Sequence, residues 1–105
     1  MRPPVQNLFA SLSKTEHEEI LTLFENSSAK IEQIISHSHL SPPGFWYDQE
    51  WDEWVIVVSG SATLEFEGDE PVELQQGDYL TIAKHVKHRV ARTSAQTIWL
   101  AVHVK

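Results

Sequence analysis

Short runs that alternate apolar and polar residues, separated by turn residues, fill the chain from residue 31 onward. Ala62-Thr63-Leu64-Glu65-Phe66-Glu67 shows the pattern best and predicts a strand with Leu64 and Phe66 inward and Glu65 and Glu67 outward. Comparable runs predict strands over 31–37, 49–58, 72–74, 79–82, 88–93 and 97–104. Ser59-Gly60-Ser61 reads as a hairpin turn, and Gly68-Asp69 and Gly77-Asp78 as further turns. Pro42 and Pro43 cannot donate to a ladder, so 40–44 is a connection. From Trp54 to Val58 the main strand is apolar on both faces. Such a strand is buried on both sides, by a second sheet or by a partner chain. Turns at this spacing belong to a β-sandwich or small barrel.

The first thirty residues read differently. Residues 1–12 form an extended lead-in with Leu8, Phe9 and Leu12 as anchors. Ser13-Lys14-Thr15-Glu16 fits a capping box, Ser13 being the N-cap and Glu16 reaching back. Glu16, Glu18 and Glu19 would sit where a helix dipole favours acids, and Ile20, Leu21, Leu23 and Phe24 supply an apolar stripe. Asn26-Ser27-Ser28 would end the helix. The predicted organisation is one domain: an arm and helix over 1–30, packed on a β-barrel over 31–105.

Composition narrows the partners. Lys and Arg number 8 against 15 Asp and Glu, for a net charge of −7. That balance argues against nucleic acid and against an anionic membrane surface. No run approaches the roughly 18 apolar residues of a membrane span. The start lacks an apolar signal-peptide core, and Cys is absent, which removes disulfide and thiol chemistry. The expected location is the cytoplasm.

The candidate chemistry lies in two segments. One is Trp51-Asp52-Glu53-Trp54-Val55-Ile56-Val57-Val58-Ser59-Gly60, with Glu53 six residues before Ser59-Gly60 closes the strand. The other runs from Gly77 through Tyr79-Leu80-Thr81-Ile82 to His85 and His88. Together they resemble the cupin superfamily. Its second motif falls on Gly77, Ala83, His85, His88 and Arg92, and Gly77 and His88 match by identity. In its first motif Glu53 and Gly60 match, while the two histidine places hold Trp46 and Asp48, or Tyr47 and Gln49, depending on the gap. The resemblance implies an all-β, antiparallel, jelly-roll-like cupin barrel, here with a short N-terminal helical segment. It also implies a divalent transition metal (Fe, Mn, Ni or Zn) held by Glu53 and His88, with Asp48 or Gln49 in place of the missing histidines.

Strand geometry constrains that set. On a straight strand Gln49 and Glu53 share a face but lie roughly 13 Å apart, and Asp48 has the opposite parity. Either residue needs a bend near 49–52 to reach the site. His85 and His88, three apart, face opposite sides unless a turn intervenes. His103, in phase with Trp99 and Ala101, can approach the same cavity or face solvent. Arg92 can orient a carboxylate or pair with a rim acid. His37-Ser38-His39 precedes the Pro turn, outside the motif places. Trp46, Tyr47 and Trp99 are candidate substrate contacts, against the plainer reading of core packing or an interface.

Two functions remain open. One is a cupin that binds a metal and a small organic molecule, with the dioxygenase, isomerase or decarboxylase chemistry that the resemblance implies. The other is a metal-free binding or sensor module with a tryptophan-lined pocket. Beside these stands a structural or oligomer-forming role with no ligand, and the two-sided apolar strand predicts a homodimer in every case.

Overall fold

The computed structural model describes residues 1–10 and 17–105. Eight strands make two facing sheets. They are β1 (Glu19–Glu25), β2 (Ala29–Ser36), β3 (Asp52–Ser59), β4 (Ala62–Phe66), β5 (Val72–Leu74), β6 (Tyr79–Ile82), β7 (His88–Thr93) and β8 (Thr97–Val104). The larger sheet has the order β1-β2-β8-β3-β6 and the smaller β5-β4-β7. Every strand pairing is antiparallel. The core fills the space between the sheets, with Val55, Val57, Leu64, Leu74, Ile82 and Trp99 at its centre.

The N-terminal helix is a correction. Among the described residues there is no helix, and Glu19–Glu25 is the edge strand β1. Ile20, Leu21, Leu23 and Phe24 fit a helical stripe, but they also fit a strand that is apolar on both faces and carries a bulge. The structure has that bulge, a register shift between Thr22 and Phe24. Asn26 supplies the turn: its Oδ1 accepts from the backbone N–H of Ser28 and of Ala29, each at 2.8 Å. An Asx turn of this kind closes a hairpin as readily as it ends a helix. The proposed capping box at 13–16 and the anchor Leu12 lie outside the described residues. In the lead-in, Leu8 is tied down, its carbonyl accepting from Gln33 Nε2 at 2.7 Å, whereas Phe9 is half exposed.

The Ser59-Gly60-Ser61 turn is present, but the strands it joins lie in different sheets, so it carries the chain across the barrel. Gly60 has φ +89°, and a Cβ there would lie 2.5 Å from the carbonyl oxygen of Gln96. Only glycine fits both constraints. Gly77, also at φ +89°, has open space around it. Its N–H donates to the Val57 carbonyl at 2.7 Å, which fixes the entry to β6 beside β3.

Candidate functional site

A cavity of about 140 Å³ opens between the sheets. Alternation on the large sheet aims Glu32 and Ile34 (β2), Glu53 and Val55 (β3) and Trp99 and His103 (β8) into it. His88 and Val90 face them from β7 of the small sheet. The expected bend before β3 is present. Tyr47 pairs with His88 through N–H donation to its carbonyl at 2.7 Å and acceptance from its N–H at 3.1 Å. The chain then crosses to the large sheet, where Asp52 pairs with Val104. The bend brings Gln49 to the cavity wall that Glu53 also lines, where its side chain favours the ionised Glu53 carboxylate.

Of the residues singled out from sequence, Tyr47, Gln49, Glu53, His88, Trp99 and His103 line this cavity. Asp48, Trp46 and Arg92 do not. Asp48 is on the outside, where its Oδ1 lies 2.8 Å from His85 Nδ1. Trp46 is half-buried in the connection before β3. Arg92 faces outward, 3.5 Å from Glu73 and within reach of Thr63 and Ser61. Its reversal has a local cause. Thr63 pairs with Arg92 but Leu64 pairs with Val90, so Ala91 is an extra residue in β7. The bulge breaks the alternation that would have aimed Arg92 inward with His88 and Val90. Of the four tryptophans, Trp99 alone lines the cavity.

Glu32 was not legible as a site residue, and neither was the role of Trp51. Trp51 Nε1–H donates to His103 Nδ1 at 2.7 Å. Indole is a donor only, so Nδ1 accepts and the imidazole proton sits on Nε2. That proton is donated to Glu32 Oε1 at 2.8 Å. Both nitrogens of His103 are therefore engaged. His88 has the opposite tautomer. Its Nδ1 lies 2.9 Å from the Val86 carbonyl, which can only accept, so Nδ1 carries a proton and in the neutral ring Nε2 presents a lone pair to the cavity. Glu53 Oε1 lies 3.8 Å from Nε2. Glu53 and His88 are both buried.

Burial pushes the Glu53 carboxyl above the usual carboxylate range; His103 and His88 pull it down, Glu32 adds to the rise, and the Gln49 hydrogen bond opposes it. Tyr47 stacks on His88 with ring centroids 5.4 Å apart. Its hydroxyl is raised by burial and, less strongly, by Glu18 and Glu53.

This donor set does not fit a metal ion. Among the described residues no group of three or more His, Cys, Asp or Glu side chains is arranged to hold one. Glu53 and His88 supply two donors, and His103 is committed to Trp51 and Glu32. Catalytic sites ordinarily supply three protein ligands.

The cupin domain family matches residues 34–103, and the chain belongs to that family. A protein of Ralstonia eutropha JMP134, a candidate mannose-6-phosphate isomerase, is 48% identical, with a TM-score of 0.92 over 98% of this chain and 99% of that one. A cupin superfamily protein of Desulfitobacterium hafniense DCB-2 is 13% identical, with a TM-score of 0.81 over 99% of this chain and 92% of that one. An RmlC-like cupin of Methanocaldococcus jannaschii is 15% identical, with a TM-score of 0.76 over 97% and 93%. The last two share the fold alone. No curated protein sequence matches.

Proposed function

We propose that this cupin barrel binds a small organic molecule between its sheets and shifts a proton within it, an isomerase-type reaction that needs no bound metal. The observation that carries the reading is the His88 tautomer: a buried lone pair facing the cavity, 3.8 Å from a buried carboxyl. His88 Nε2 is the base and Glu53, in its protonated form, the acid.

With an α-hydroxycarbonyl substrate, Nε2 removes the proton from the carbon bearing the hydroxyl. Glu53 gives its proton to the carbonyl oxygen, leaving an enediol. Glu53 then takes the proton of the second hydroxyl while His88 returns its own to the former carbonyl carbon. Both side chains regain their starting states, and no oxidant or reductant is consumed. Tyr47 covers His88, and the ring of Trp99 forms part of the wall. The identity to a candidate isomerase supports the reaction class.

The outer face of the large sheet supports a second copy of the chain as partner. Trp54, Ile56, Leu100 and Val102 lie there only half-buried.

The reading is tested by following aldose–ketose interconversion in EDTA with the tag-free protein and its Glu53→Gln and His88→Gln variants. Turnover in EDTA that both variants lose supports it. Turnover that EDTA abolishes and Mn, Fe, Ni or Zn restores would replace it with metal-dependent chemistry.

A further inference from the structure

We infer that the substrate is an uncharged hydroxycarbonyl compound, a free sugar rather than a sugar phosphate. This rests on the proton-transfer reading above and narrows its substrate.

Among the described residues three carboxylates, Glu18, Glu32 and Glu53, line the cavity, and no Lys or Arg does. A phosphate site needs a guanidinium, an ammonium or converging backbone N–H groups. The nearby cations are directed elsewhere. Arg89 Nη2 donates to the Ser41 carbonyl at 2.8 Å, and its Nη1 lies 3.3 Å from Glu65. Arg92 faces outward to Glu73. Lys30 Nζ lies 3.4 Å from Glu32 Oε2 and is no part of the lining. Lys84 and Lys87 lie in the exposed connection before β7. No helix N-terminus is present among the described residues.

The hydrogen-bonding inventory agrees. Apart from Glu18 and Glu32 the cavity's polar groups are mixed and uncharged: the His88 Nε2 lone pair accepts, while the protonated Glu53 carboxyl, the Gln49 amide and the Tyr47 hydroxyl can donate. The one imidazole N–H on the large-sheet side is committed to Glu32. The hydroxyl and carbonyl groups of a sugar match such a mixed set. Val55, Ile34, Val90 and the Trp99 ring supply apolar surface for its C–H faces. The net charge of −7 also disfavours the approach of an anion.

Isothermal titration of the EDTA-treated protein with D-mannose and with mannose-6-phosphate, at fixed ionic strength, tests this. Mannose should bind at least about tenfold more tightly, because like charges in one site are strongly disfavoured. Glu18→Gln, at the exposed mouth, should narrow the gap. Equal or tighter binding of the phosphate, or no binding of mannose, would overturn the inference. If the phosphate is preferred and is isomerised in EDTA, only the substrate class falls and the proton-transfer reading stands. If mannose is preferred but not isomerised, the class stands for binding and the proton-transfer reading falls.

Discussion

His88 Nε2 and Glu53 Oε1 face each other 3.8 Å apart across the gap between the two sheets, and the Nδ1–H bond to Val86 leaves both of them acceptors unless one takes up a proton. Two acceptors converging in a buried place define a site that holds or moves a proton. The predictions below follow from that relationship and from the frame around it.

Burial raises the Glu53 carboxyl above its ordinary value. A carboxyl raised on folding contributes its stability below the unfolded value and loses it as pH rises through the folded value. Glu53→Gln should therefore raise Tm at neutral pH and above, and the gain should vanish in acid, where Glu53 is protonated in both states. Thermal melts across pH check this. A destabilised variant at neutral pH would show that ionised Glu53 is better compensated than its surroundings imply.

Trp51→Phe removes the donor that fixes the His103 tautomer while keeping an aromatic ring. It should cost about 1 kcal/mol, the typical net value of one hydrogen bond. In ¹⁵N NMR of the unsubstituted protein, His103 should carry its proton on Nε2 and His88 on Nδ1. Matching tautomers at the two histidines would contradict the arrangement.

Gly60 and Gly77 share the same φ but not the same surroundings. Gly77→Ala should cost about 1 kcal/mol, from backbone strain alone. Gly60→Ala should cost about 3 kcal/mol or more, since its Cβ would meet Gln96 and Ser94. Equal costs from denaturant melts would refute the crossing-turn argument.

Ile56 and Leu100 sit opposite each other on the outer face of the large sheet. If a second copy covers that face, light scattering at micromolar concentration should give a dimer, and Ile56→Glu should give a folded monomer. A monomer without substitution would remove the interface.

The strand pattern was legible wherever a turn residue with a physical reason bounded it. Gly77-Asp78 fixes the start of β6, and the observed β5, β6, β7 and β8 fall on the expected residues. β1 was not legible, because Ile20, Leu21, Leu23 and Phe24 satisfy two periods at once and the bulge there hides the strand. Glu53 and His88 were singled out through the resemblance, by the places they occupy in the cupin motifs with Gly60 and Gly77. Arg92 takes the second of its two expected roles, pairing with the rim acid Glu73, because a single inserted residue, Ala91, reverses parity without any mark in the sequence. Glu32 was missed for a different reason. Its meeting with His103 depends on β2 pairing with β8, a contact between distant parts of the chain that no local pattern encodes.

Exchange of solvent deuterium into mannose or fructose, followed by proton NMR with the EDTA-treated protein and its His88→Gln variant, tests the central claim most directly. Deuterium appearing at the carbon beside the carbonyl, with the unsubstituted protein only, is the result this account predicts. No exchange in EDTA, with exchange restored by an added divalent metal, would contradict it.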